Sequence, residues 1–131
     1  MRKLIFSINI TLDGFIDHTT MIADDELHEK ASELLRSADV VLYGRKAYQL
    51  MAEAWSGAPL DKTLSPRVRE FADTMNAMEK IVYSTTLKNV SWKTKILRSV
   101  DPAAVRAMKR LPGKGYFIRS RSRYCTNLYE I

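Results

Sequence analysis

Short apolar segments alternate with amphipathic helical stretches along this chain, and that alternation limits the fold more than any single motif. Residues 3–10 place Leu4, Phe6, Ile8 and Ile10 on one side and Ile5, Ser7 and Asn9 on the other, as a strand does. Asp13-Gly14 then turns the chain. From Asp24 the spacing changes to Leu27, Ala31, Leu34, Leu35 and Ala38, which is one face of a helix, and Asp24, Asp25 and Glu26 suit its positive end. Val40–Tyr43 is the second strand, and Ala47, Leu50, Met51, Ala54 and Trp55 share a face of the next helix.

Beyond a loop holding Gly57 and Pro59, Ser65-Pro66 reads as an N-cap followed by proline at the first helical position. Val68, Phe71, Ala72 and Met75 form the apolar face of that helix. A third strand runs from Glu79 or Lys80 to Tyr83, and Lys95–Leu97 adds a short one. Asp101-Pro102 repeats the cap signal for a helix to about Arg110, ended by Leu111-Pro112-Gly113, and Tyr116–Ile118 is the next strand. The order βαβαβ(β)αβ predicts a three-layer α/β/α sandwich around a mainly parallel sheet.

In such sheets ligands gather where the strands end, at their carboxyl edge. Three polar segments fall there: Asn9-Ile10-Thr11-Leu12-Asp13-Gly14, Gly44-Arg45-Lys46 and Ser84-Thr85-Thr86. The second is the sharpest. A strand that ends in Gly44 and runs directly into a helix aims free backbone N–H groups and the helix dipole at one point. Arg45 and Lys46 add two cations, a combination suited to phosphate or pyrophosphate. Any α/β chain needs a residue to turn this corner, so a plain helix start is the competing reading.

Other chemistries find less support. The 131 residues, 46% hydrophobic and 27% charged, fit one soluble domain, and no apolar run approaches the roughly 20 residues of a membrane span. Residues 1–10 lack the core and cleavage site of a signal peptide, which predicts a cytoplasmic protein. The lone Cys125 has no partner for a disulfide and no zinc-ligand spacing, so no metal is expected. His18 lies in a polar loop, and His28 is expected to be exposed among charged neighbours. Ser84 lacks the elbow motif of a hydrolase nucleophile. Of the net charge of +6, half comes from residues 114–131, where Lys114, Arg119, Arg121 and Arg123 face Glu130 alone. No nucleic-acid reader motif accompanies it, so a basic-tail nucleic-acid binder is the weakest reading.

Taken in order, the pieces FSINITLDGFID, DDELHEKASELLRSADVVLYGRKAYQLM, MEKIVYSTTL with Trp92, and PAAVRAMKRLPGKG resemble the dihydrofolate-reductase-like family, in particular the reductase domain of the riboflavin-biosynthesis deaminase/reductase. The likeness covers about residues 3–115. It implies an NADPH-dependent reductase that passes hydride to a small heterocycle or a ribosylamino-pyrimidine. Carried over by position, Gly44, Arg45 and Lys46 lie beside the cofactor pyrophosphate, and Ser84, Thr85 and Thr86 near the adenosine ribose and its 2′-phosphate. Asn9, Ile10, Thr11, Leu12, Asp13 and Gly14 line the nicotinamide and substrate pocket. From its own chemistry Asp13 is a turn residue, and no catalytic acid is assigned.

The chain departs from this pattern at its end. Family members follow the strand at Tyr116–Ile118 with a glycine-rich turn and then the final strands of the sheet, whereas here RSRSRYCTNLYEI contains no glycine. A Cβ at such a turn obstructs close approach of backbone to pyrophosphate. The expected organisation is a reductase domain over residues 1–118, lacking its last strands, with an atypical basic tail over 119–131. The loss of pattern has the texture of an altered reading frame or truncation. An unpaired sheet edge favours association with a second copy, so a homodimer is expected. The alternative function is a dimeric α/β remnant that no longer seats the cofactor.

Overall fold

The computed structural model describes residues 1–14, 24–58 and 61–119. Its elements, in chain order, are β1 (Lys3–Phe6), α1 (Asp25–Arg36), β2 (Val40–Gly44), α2 (Arg45–Trp55), α3 (Pro66–Ala77), β3 (Glu79–Tyr83), β4 (Thr94–Leu97), α4 (Pro102–Arg110) and β5 (Gly115–Arg119). The five strands form one sheet in the order β1-β5-β2-β3-β4, and every pairing among them is parallel. This is the three-layer α/β/α arrangement that the alternation of elements predicts.

The layers are unequal. Leu35 of α1, Ala47, Tyr48 and Met51 of α2, and Phe71 and Met75 of α3 pack over Val41, Tyr43 and Val82 on one face of the sheet. On the other face, α4 alone among the described helices covers Val40, Leu42, Tyr83, Tyr116 and Ile118 through Val105 and Met108. Strand β2 is buried on both faces, as a central parallel strand must be, and its unbroken apolar run Val40–Tyr43 records that.

Helix starts follow the expected cap chemistry. The side chains of Asp24, Ser65 and Asp101 accept hydrogen bonds from the backbone N–H groups of Leu27, Val68 and Ala103. Each satisfies a donor that the first helical turn cannot.

Two local outcomes differ from the sequence expectation, and the path of one loop adds to it. The first strand ends at Phe6, four residues before the apolar alternation does. Its partner β5 pairs with it only from Lys3↔Gly115 to Phe6↔Ile118, so Ile8 and Ile10 continue the pattern without a ladder. His28 is buried, not exposed: its Nδ1 lies 2.7 Å from the Asp24 carbonyl, and its ring meets Trp55 and Phe71 edge-on. As the order βαβαβ(β)αβ predicts, the link from β3 to β4 contains no helix. Residues 84–93 instead run as a strap over the three-helix face, where Leu87, Val90 and Trp92 join the core. Trp92 and Lys93 close that strap with two successive positive φ angles, 64° and 52°. Among the described residues no helix is long and apolar enough to cross a membrane. The expected tail 119–131 begins one residue later, because Arg119 still belongs to β5; residues 120–131, with Cys125, lie outside the described residues, as does His18.

Candidate functional site

The register of the sheet brings the carboxyl ends of β2, β3 and β4 into line. Gly44 pairs with Tyr83, and Tyr83 with Leu97. The next residues along the three strands are therefore neighbours on one edge: Arg45, Ser84 and Arg98. Two of these were expected from sequence and the third was not.

At the first position, Gly44 is the N-cap of α2, with an extended backbone (φ −80°, ψ 162°) and no side chain to cap the helix. The glycine is thus not needed for a left-handed turn. What it contributes is the absence of a capping side chain, and α2 is the one described helix that begins without such a hydrogen bond. The first turn also lacks acidic residues, so nothing on the helix itself offsets its dipole. Lys46 is exposed and Arg45 half-buried, with one guanidinium nitrogen donating to Gln49 Oε1 at 3.2 Å. Tyr48, one turn further on, is packed and tied down: its hydroxyl accepts from Ser91 N–H and donates to Ser91 C=O, both at 3.0 Å.

At the second position, Ser84 serves the turn more than a ligand. Its N–H donates to the Leu97 carbonyl, and its hydroxyl oxygen accepts from the N–H groups of Thr86 and Leu87 at 3.3 and 3.0 Å. The buried Ser84 therefore shapes the corner, while Thr85 and Thr86 stand exposed on it. Of the three residues expected to face a phosphate, the two threonines keep free hydroxyl access and the serine holds them in place.

Arg98 completes the edge. Its Nη1 donates to the Ser84 carbonyl at 3.1 Å and to the Leu87 carbonyl at 2.5 Å, clamping the same turn from the other side. A signal for it existed in the sequence. Arg98 follows a short strand directly, as Arg45 does.

Asn9–Gly14 lies apart from this row. It follows β1, which is separated from β2 by β5, so about 10 Å of sheet intervenes. Within the segment, Gly14 N–H donates to the Thr11 carbonyl at 2.9 Å with Gly14 at φ +92°, and the Thr11 hydroxyl donates to Asp13. Asp13 and Gly14 thus form the expected turn. Asn9 and Thr11 are half-buried, whereas Ile10 and Leu12 project outward.

Below this edge, Tyr83 places its hydroxyl inside the α4 face with no hydrogen-bond partner among the described residues. Burial and the nearby Tyr116 raise its pKa above the ordinary phenol value, so it stays protonated at neutral pH. The most perturbed cation, Lys80, sits at the opposite end of β3. It is 1% exposed, donates to the Met78 carbonyl at 2.7 Å and lies 4.2 Å from the centre of the Trp92 ring. Desolvation, assisted by Lys93, lowers its pKa to about 8. Distance from the carboxyl edge separates it from the candidate site.

No known protein-family signature matches the chain. It is similar to the uncharacterized protein YyaP of Bacillus subtilis, at 26% identity over 123 residues. The match covers 89% of this chain but 62% of the relative, so the chain spans under two thirds of the length of the protein it resembles.

Proposed function

We propose that this chain is an NADPH-binding domain of the dihydrofolate-reductase-like kind, built to present the dinucleotide to a small heterocyclic or ribosylamino-pyrimidine substrate. One observation carries the reading: the uncapped start of α2 at Gly44 shares an edge with the Ser84 turn. Amides, a helix dipole and the cations of Arg45 and Lys46 suit a pyrophosphate there. Thr85 and Thr86, held outward by Ser84, suit the adenosine ribose. Asn9, Thr11 and the apolar Ile10 and Leu12 border the place where nicotinamide and substrate would meet, two strands away. Bound NADPH would supply the hydride, and the protein's part is to bind and orient both partners.

Titration calorimetry of the intact chain with NADPH tests the reading. A dissociation constant of about 1–100 μM is expected, a range ordinary for a nucleotide site. Absence of heat at millimolar NADPH would remove the proposal and favour the reading as a non-binding α/β scaffold.

Self-association belongs to the same proposal. Leu4, Phe6, Ile81 and Leu97 on the α4 face are only partly buried, and a single nine-residue helix lies over them among the described residues. A second copy would cover that face. Sedimentation at micromolar concentration should then give twice the chain mass. A cytoplasmic location goes with this reading, since cytosolic NADPH is the expected ligand.

A further inference from the structure

Tyr48, in the first turn of α2, buries its ring and commits its hydroxyl to the backbone of the strap over residues 84–93. That hydroxyl accepts from the Ser91 N–H and donates to the Ser91 carbonyl, both at 3.0 Å. One side chain thus satisfies the donor and the acceptor of a residue that lies outside any strand ladder. Neither α2 nor the strap can shift here without the other.

Ser91 also sits where the strap is most constrained. Beside it, Trp92 and Lys93 hold φ angles of 64° and 52°, a conformation that costs energy in any residue with a Cβ. Contacts of Trp92 keep the chain there: its ring stacks on Tyr43, Lys80 Nζ lies over it, and its Nε1 donates to Asn76 Oδ1 at 2.7 Å. Asn76 in turn donates to the carbonyl of Trp55, the last residue of α2, at 2.8 Å. Ser91 and Trp92 therefore hold α2 at both ends.

The strap begins at the Ser84 turn. There the Ser84 hydroxyl oxygen holds the N–H groups of Thr86 and Leu87, and Arg98 holds the carbonyls of Ser84 and Leu87. Leu87 and Val90 seat the stretch between turn and Ser91 in the core. A short anchored segment thus runs from the exposed threonines to the first turn of α2.

We infer that Tyr48 is a positioning residue that acts through Ser91: it locks the open amides at the start of α2 to the strap that carries the Ser84 turn, so that an anion held by α2 also orders the strap. The inference rests on the proposed nucleotide site and adds a residue that does not itself meet the nucleotide. Two halves of one site then respond together.

Hydrogen exchange of the intact chain is the test, with inorganic pyrophosphate as the probe because it carries no nucleoside to reach along the strap. Saturating pyrophosphate should slow exchange at the amides of residues 45–47 by contact, and at those of 88–91 by about fivefold through Tyr48. Tyr48→Phe keeps the ring and removes the hydroxyl. This variant should bind pyrophosphate within about twofold of wild type, lose the slowing at 88–91, and bind NADPH, which needs both halves, about fivefold more weakly. Thermal melting verifies its fold, and should it fail to fold, the exchange pattern of the wild-type chain decides alone. Slowing confined to residues 45–47 in the wild-type chain would overturn the inference while leaving the reductase reading in place. So would a Tyr48→Phe variant that melts lower yet keeps its NADPH affinity and its slowing at 88–91, which would mark the hydroxyl as a structural tie. Binding of neither pyrophosphate nor NADPH would remove the underlying reading and this one with it.

Discussion

The two ends of the sheet treat their cations in opposite ways. At the amino end, Arg2 is buried and engaged through both terminal nitrogens, its Nε alone lacking a partner among the described residues: it pairs with Asp39, donates to the Tyr116 hydroxyl at 2.8 Å and lies 4.0 Å over the Tyr116 ring. Its own N–H donates to the Lys109 carbonyl, which ties β1 to the end of α4. Lys80 at the same end is closed under Trp92. At the carboxyl end, Arg45 and Arg98 each use one guanidinium nitrogen internally, and Lys46 is exposed. Buried charge is tolerated only when the fold satisfies it, whereas charge left with spare donors at a strand end remains available to a ligand. The contrast separates structural cations from candidate binding ones more sharply than composition does.

Removing the amino-end clamp should have the largest effect. Arg2→Met leaves Asp39 and the Tyr116 hydroxyl without their common partner and is expected to cost about 3 kcal/mol of stability in urea unfolding. A loss below about 0.5 kcal/mol would erase the proposed division between the ends. Gly113→Ala comes next, at about 2 kcal/mol. Gly113 has φ +143°, and an added Cβ would stand 2.5 Å from Asp39 Oδ2 and 2.9 Å from the Arg2 guanidinium.

Smaller effects sharpen the comparison from the other side. Arg45→Ala should weaken NADPH binding about tenfold while changing stability by less than about 0.5 kcal/mol, the reverse of Arg2. Unaltered NADPH affinity would take Arg45 out of the site. The weakest expected effect is the pH response of Lys80. Its folded pKa, about 8, lies below the 10.5 of a free lysine, so between these values the unfolded chain binds more protons. Stability should therefore rise with pH from about 8 to 10, by on the order of 1 kcal/mol, and Lys80→Met should flatten that rise. Above pH 10 the raised pKa of Tyr83 acts oppositely, because the unfolded phenol ionises first.

Much of this was legible in the sequence because each element is locally consistent. The caps Asp24, Ser65 and Asp101, the helical faces and the strand cores at Val40, Ile81 and Tyr116 all stand where their spacing puts them. What was illegible depends on partners distant in the chain. The alternation that runs on to Ile10 could not reveal that β5 supplies only four rungs to β1. His28 reads as a surface residue by its charged neighbours, yet Trp55 and Phe71 come from two other helices to enclose it. Arg2 follows Met1 and carries no motif; its burial is set by Asp39 and Tyr116. Lys80 could have been noticed, since in a sheet covered on both faces every strand position points inward. For the candidate site, Gly44 and the Ser84 turn were visible as polar breaks after apolar runs, but their alignment with Arg98 is a property of register alone.

The position of β5 has a consequence for how the chain can be assembled. This segment is the last described strand to be synthesised, yet it lies second in the sheet, and it is the neighbour through which β1 joins the rest. A nascent chain that has emerged only as far as α4 holds β2, β3 and β4 as one patch and β1 as a loose end with no seam to enter. Productive closure must wait for residues 115–119 to slot between them, which makes those few residues the keystone of synthesis as well as of architecture.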